Sequence, residues 1–309
     1  MSDFVTTQRH VVTLANGDRV PALGQGTWYL GDSRSTHDRE AQALRAGVAS
    51  GMTLIDTAEM YGNGRSERLV GDALDGVAVA GGQLREADGT RAKTLDRDEL
   101  FIVSKVLPSN AGEPDIFDSC DETLENLGVD YLDLYLLHWR GMVPLAETVA
   151  CMEELIAEGK IRAWGVSNFD TDDMEDLWRV PGGQNCQVNQ VLYHPGSRGI
   201  EFDLLPWMRD HGVALMAYCP LAQAGTLRGR LFHSPELAEV ARRHNVTVPQ
   251  VILAWDIRGG DTIAIPRSSR PEHTLENAAA DAIELTEDDL ALISRAFPAP
   301  SYKMPLDME

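Results

Sequence analysis

The chain has 309 residues, enough for two average domains or for one barrel of roughly 250 residues. Its formal charge of -21 excludes nucleic acid and anionic membrane as expected partners, because like charges repel. No apolar run approaches the ~20 residues of a membrane span, and the opening MSDFVTTQRHVV lacks the apolar core of a signal peptide, so a cytoplasmic location is expected. Cys120, Cys151, Cys186 and Cys219 lie far apart with no CxxC spacing. They read as free thiols, with no disulfide frame or zinc site implied.

In chain order, HVVTLANGDRVPAL places Asn16-Gly17 between two short apolar stretches. That is a hairpin signal, since both residues tolerate positive φ. Short β-rich runs then alternate with amphipathic helical stretches. The runs are LGQGTW, TLIDTA, LFIVSKV, LDLYLLHW, IRAWGVSN, CQVNQVLYH, VALMAYCP and TIAIPRS. Segments such as THDREAQALRAGVASG, AETVACMEELIAEGK and PELAEVARRHN lie between them. Gly51, Gly128 and Gly159 follow three of the helices, where a left-handed C-cap is expected.

Eight strands alternating with helices predict parallel pairing, in a closed barrel or a doubly wound sheet. The polar residues decide between them. Each run is apolar until its end, then turns polar at Asp56, Lys105, His138, Ser167 with Asn168, Gln190, Tyr218 and Arg267. In a barrel all those ends converge on one face, where active sites sit. The predicted fold is therefore α/β, a (β/α)8 TIM barrel with an N-terminal β-hairpin. No linker or composition shift divides the chain, so residues 1–309 are expected to form a single domain. Residues 77–98 fall between a helix and the next strand. A small hairpin on the face opposite the active site is expected there.

Asp56 and Lys105 each end an apolar strand, where an unpaired charge is expensive. On neighbouring strands they can pair across the barrel mouth. Tyr61 follows Asp56 by five residues in DTAEMYGNGRSE. A lone tyrosine near a glycine turn is usually packing, but this one has a cation within reach. A phenol is a poor acid near neutrality unless a cation stabilises the phenolate, and Lys105 can supply it while Asp56 holds the ammonium. His138 is placed to hydrogen-bond a carbonyl oxygen. Together these groups suit protonation of an alkoxide as it forms. No GxGxxG follows a strand and opens a helix, so a Rossmann dinucleotide site has no support. HxxxH metal spacing and a GxSxG nucleophile are missing, and no metal is expected.

The motifs DTAEMYG with a helix-opening RSE, IVSK, YLDLYLLHW, GKIRAWGVSN, VNQVLYHP, MAYCPLA and AIPRSSRPEHTLEN resemble those of the aldo-keto reductases, in order and spacing, from Leu14 to Asn277. VPGGQNCQVNQVLYHPGSRGIEFDLLPW and the tail PLDME are most similar to the bacterial branch that reduces methylglyoxal and similar aldehydes. The resemblance implies four catalytic positions, Asp56, Tyr61, Lys105 and His138, with Tyr61 as general acid. It implies that Ser167, Asn168 and Gln190 hold the nicotinamide carboxamide and that Tyr218 stacks on the ring. Gly26, Thr27 and Trp28 then border the nicotinamide ribose, and Trp28, Tyr61, His138 and Trp139 the substrate.

The resemblance also implies that Cys219, Pro220, Leu221, Ile265 and Pro266 flank the cofactor. Arg267, Ser268 and Ser269 would hold the adenosine phosphate, and His273, Glu276 and Asn277 would lie near the adenine end. Two positions depart from the family's habit: Cys219 stands where serine is frequent, and His273 where a second arginine is. The implied function is NADPH-dependent reduction of small aldehydes or ketones by a monomer, with NADH as the alternative cofactor. A second reading is a cofactor-binding sensor or regulatory subunit on the same barrel, distinguished by the absence of turnover. The loops 108–114 and 221–231 and the tail 298–309 are expected to shape the substrate pocket.

Overall fold

The protein is described by a computed structural model covering residues 9–308, except 75–82, 86–90, 95 and 224. The chain opens with the antiparallel hairpin β1 (Val11–Thr13) and β2 (Arg19–Pro21), in which Val12 faces Val20. Gly17 alone takes a positive φ, of 92°. Asn16 works through its side chain instead, accepting from Asp18 N at 3.0 Å and donating to Asp18 Oδ2 at 2.8 Å. One left-handed residue therefore closes a turn expected to need two. Asn16 N also donates to Gln187 Oε1 at 2.8 Å, which ties the hairpin to the barrel.

Eight parallel strands form the barrel wall. In order they are β3 (Gln25–Gly26) and β4 (Leu54–Asp56), then, after a small antiparallel hairpin of β5 (Gln83–Arg85) and β6 (Arg91–Thr94), β7 (Phe101–Val106), β8 (Leu134–Leu137), β9 (Trp164–Ser167), β10 (Val188–Leu192), β11 (Ala214–Tyr218) and β12 (Thr262–Ala264). Each pairs with the next, and parallel bridges from Leu23 to Ala264 and from Gly26 to Arg267 close the ring. Closure needs a glycine: a Cβ on Gly26 would lie 2.7 Å from Ile265 O. The expected hairpin within 77–98 is present between β5 and β6.

Helices α1 (His37–Ala49), α2 (Arg65–Leu74), α3 (Asp115–Leu127), α4 (Leu145–Ala157), α5 (Thr171–Trp178) and α6 (Leu204–His211) alternate with the strands. After β11 come α7 (Gly225–Phe232), α8 (Pro235–His244) and α9 (Val248–Ile257), and after β12 come α10 (Pro271–Ala278) and α11 (Glu287–Ala296). Gly51, Gly128 and Gly159 follow α1, α3 and α4 with φ of 90°, 66° and 76°, the left-handed stops expected of them. Among the described residues no helix is long and apolar enough to cross a membrane.

Alternation along the strands sorts side chains into two cores. Leu54, Val103, Leu134, Leu136, Val188 and Met216 belong to the inner one. Ile55, Ile102, Tyr135, Leu137, Val191 and Leu215, one step out of phase, pack in the outer layer under the helices. Strands buried on both faces must be apolar at nearly every position, which is why these runs show no alternation in hydropathy.

One buried group breaks this pattern. Asp256 on α9 is 1% exposed, and neither carboxylate oxygen has a hydrogen-bond partner among the described residues. Burial pushes its carboxyl well above the usual range, with Arg258 opposing weakly. An acid whose folded-state pKa is raised costs nothing below its unfolded pKa of about 3.9; the cost grows as pH climbs toward the raised value. Asp256→Asn removes that cost. Its melting temperature is expected to exceed the wild type's by several degrees at pH 8 and to match it near pH 4. Calorimetric scans across this window that show no pH-dependent gap between the two would contradict the assignment.

Candidate active site

The alternation that fills the inner core also positions the polar strand ends. Asp56 stands two residues beyond Leu54, Lys105 beyond Val103, His138 beyond Leu136, Gln190 beyond Val188 and Tyr218 beyond Met216. Each therefore points toward the barrel axis, one layer above the last apolar ring.

Lys105 is fully buried, and its ammonium spends all three donors: on Asp56 Oδ2 at 2.8 Å, on Thr57 O at 2.8 Å and on Tyr61 OH at 3.1 Å. The other oxygen of Asp56 accepts Gln190 Nε2 at 2.7 Å. Burial raises the Asp56 carboxyl and lowers the Lys105 ammonium, and each opposes the other's shift. Removing either partner would leave the other's charge unpaired in a dry site. Since Tyr61 accepts from Lys105, its own O–H is free to donate elsewhere.

Burial pushes the Tyr61 phenol well above the usual tyrosine range, with the charge of Asp56 adding to it. This corrects the expectation of a phenol acidified in the resting protein. Burial prevails in the resting protein, so Tyr61 keeps its proton there.

The loop carrying Tyr61 is braced by buried polar contacts. Ser66 Oγ donates to Thr27 Oγ1 at 2.8 Å, and Thr27 Oγ1 donates to Asp56 O at 3.0 Å. Glu59 Oε1 accepts from Leu107 N at 2.6 Å and from Asn110 Nδ2 at 3.1 Å. Glu67, in the first turn of α2, accepts from Ser104, Thr123 and Asn126 at 2.7, 3.0 and 3.1 Å.

An aromatic wall surrounds the phenol. Ring centres lie 6.2 Å apart for Trp28 and Tyr61, 5.7 Å for Tyr61 and His138, and 4.9 Å for His138 and Trp139. Burial, with Lys105 adding to it, lowers His138 to about 3. The imidazole is therefore neutral at working pH and offers one N–H. Its Nδ1 is buried without a partner among the described residues. Ser167 Oγ donates to Gln190 O at 2.8 Å, Asn168 Nδ2 to His138 O at 3.2 Å, and Tyr218 OH to Asn168 Oδ1 at 3.0 Å. Asn168 takes a positive φ of 57° to reach both.

A cavity of about 610 Å³ runs from Asp56 and Tyr61 to Arg267, ahead of α10, and to His273 and Asn277 on that helix. Every residue expected at the cofactor lines it except Ser167, Asn168 and Gln190; His138 and Trp139 also lie off its wall. Pro271 opens α10, as expected, with its free amides beside Arg267. Tyr29, Phe232 and Pro249 line the cavity too and were not foreseen, while Ala222, Gln223 and Arg228 line it from the expected loop 221–231. Tyr29 reaches it through a φ of 65°, which no sequence pattern signals. Arg228 does so because its Nη1 is anchored on Leu221 O and Ala222 O, at 3.1 and 2.8 Å. Of the expected pocket loops only 221–231 borders the cavity. In the tail, Lys303 bridges Asp170 and Asp203 at 2.6 and 2.7 Å. No cluster of metal-ligand type occurs among the described residues.

The model of the Aldo/keto reductase family matches residues 22–297. The chain belongs to that family. Methylglyoxal reductase YeaE of Escherichia coli is 48% identical over 301 residues, 97% of this chain and 99% of the relative. Glyoxal reductase of Bacillus subtilis is 33% identical over 92% of each chain. An aldo/keto reductase of Klebsiella pneumoniae, solved in complex with NADP and acetate, has 47% identity and a TM-score of 0.89, over 97% of this chain and 99% of that one.

In this aldo/keto reductase the ammonium of Lys105 is the only cation bonded to Tyr61 OH among the described residues. Lys105→Met removes it, so the phenol's proton affinity rises further. A reduction in which Tyr61 donates the proton loses rate as pH passes the phenol's pKa. The alkaline limb of kcat/KM for reduction is therefore expected to move to higher pH in Lys105→Met, with a lower plateau. A limb that stayed in place, or moved to lower pH, would show that Lys105 does not tune Tyr61.

Proposed function

We propose that this aldo/keto reductase reduces small aldehydes and ketones, such as methylglyoxal, to alcohols with NADPH, and that Tyr61 is the proton donor. The observation that carries this reading is the Tyr61 hydroxyl, bound as acceptor to a buried ammonium at one end of a cavity whose other end holds an arginine. That donor set fits the cofactor: amide partners at one end, Tyr218 as a flat surface, and Arg267 with the α10 amides at the other. NADPH, when bound, supplies the hydride. Neutral His138 donates its N–H to the carbonyl oxygen and orients it. Tyr61 gives its proton to that oxygen, and the phenolate left behind faces the Lys105 ammonium. Asp56 holds the ammonium in place, and Trp28 and Trp139 supply apolar walls that exclude water.

Tyr61→Phe deletes only the proton donor. Turnover of methylglyoxal, followed by NADPH absorbance, is expected to fall by about 10² to 10⁴, the range for a positioned general acid. The NADPH dissociation constant, from fluorescence quenching, should barely change. A variant that retained most of its kcat would remove Tyr61 from this role.

The phosphate end is tested separately. A chain of net charge -21 needs a local cation to hold the extra phosphate of NADPH, and Arg267 stands exposed on the cavity at the N-terminus of α10. Arg267→Ala is expected to weaken NADPH by about tenfold or more, the scale of a charge-assisted bidentate contact. NADH should be nearly unaffected. Wild-type protein that bound NADH and NADPH equally well would contradict the assignment.

A further inference from the structure

Gln190 stands where two groups of polar side chains meet. It is 2% exposed on β10, and its Nε2 donates to Asp56 Oδ1 at 2.7 Å and to Met216 Sδ at 2.8 Å. Met216 is its register partner on β11. A primary amide has two N–H donors and one carbonyl acceptor. Both donors are spent inward, so only Oε1 is left to meet a ligand. The backbone of the same residue accepts Ser167 Oγ at 2.8 Å and Asn168 N at 2.9 Å. Gln190 thus braces both partners implied for the nicotinamide amide and also pins the carboxylate that holds Lys105. From its amide nitrogen three hydrogen bonds, of 2.7, 2.8 and 3.1 Å, lead through Asp56 and Lys105 to the Tyr61 hydroxyl.

We propose that Gln190 is a positioning residue that couples occupancy of the nicotinamide end of the cavity to proton donation by Tyr61, acting through Asp56 and Lys105. The proposal rests on the carbonyl-reductase reading above. A hydrogen-bond donor arriving at Oε1 polarises the amide and strengthens its N–H bond to Asp56, because bonds in a chain reinforce one another in a dry site. Asp56 then holds Lys105 less tightly, and more of the ammonium's field reaches the phenol. The groups facing Tyr61 are Asp56 from β4, Lys105 from β7, His138 beyond β8, and Tyr218 and Cys219 at the end of β11. Of these only Lys105 carries positive charge near neutrality, since His138 titrates at about 3. A signal entering at Gln190 therefore reaches the phenol from Asp56, both through Lys105 and through the carboxylate's own charge.

The test is a double-mutant cycle of Gln190→Leu and Asp56→Asn, with Tyr61→Phe as control. It is read in kcat for methylglyoxal at saturating NADPH and in the NADPH dissociation constant from fluorescence quenching. Gln190→Leu alone is expected to lower kcat by about tenfold or more, and by less than about threefold when Asp56 is already replaced by Asn, because effects carried through one residue do not multiply. Asp56→Asn should change NADPH affinity in the wild-type background and leave it unchanged in the Gln190→Leu background, as reciprocal linkage requires. Losses that multiply in full, or an Asp56 effect on affinity that persists without Gln190, overturn the coupling.

If Gln190→Leu does not fold, Gln190→Glu replaces it. Two carboxyls then share one proton and add an ionisation to the kcat profile between about pH 5 and 9. That ionisation should vanish in the Asp56→Asn background; a profile without it overturns the proposal. A fully active Tyr61→Phe control would instead sink the underlying assignment of Tyr61, and the coupling with it.

Discussion

A buried ammonium with no water to solvate it must find three acceptors, and that requirement organises the mouth of this barrel. Lys105 finds them in the Asp56 carboxylate, the Thr57 carbonyl and the Tyr61 hydroxyl. Each comes from β4 or the loop that follows it, so one side chain on β7 locks its neighbour's loop to the barrel. Breaking such a pair leaves an uncompensated charge in a dry site, which costs about 3–5 kcal/mol. The same arrangement fixes direction: Tyr61 accepts from Lys105, so its proton faces away from the pair.

The electrostatics of the cavity run in two senses. At one end the phenol is held protonated by burial and by the Asp56 charge, while Lys105 waits to stabilise the oxygen once the proton has left. At the far end Arg267 and the first amides of α10 offer positive potential on a protein whose overall charge repels anions. The two ends differ in charge, and the length of the groove separates the arginine from the phenol.

The barrel links these ends. Parallel strands in a closed ring place their C-terminal residues in one layer, and alternation turns every second side chain inward. Asp56, Lys105, His138, Gln190 and Tyr218 are the inward residues of that layer on five strands. Polar groups that no helix or loop would bring together are thus packed within hydrogen-bond distance, and Gln190 touches both Asp56 and, through its backbone, Ser167 and Asn168.

The sequence by itself determined the eight strands, the hairpin, the glycine stops and the residues that bring chemistry. All of these rest on local signals: apolar runs of strand length, turn glycines, and a polar residue at the end of each run. It also carried the family, through motifs in order. What it left undetermined depends on neighbours distant in the chain. Asn16 was expected to share a left-handed turn, yet its side-chain bonds made that unnecessary. The phenol of Tyr61 was expected to be acidified by Lys105, but burial by the surrounding strands prevails. Tyr29 and Arg228 reach the cavity through a strained backbone angle and an anchored guanidinium, neither of which has a period or a motif. The tail is pinned where Lys303 meets two carboxylates 133 and 100 residues away in the chain. Desolvation and long-range pairing exist only once the chain has closed on itself, so only the tertiary structure decided them.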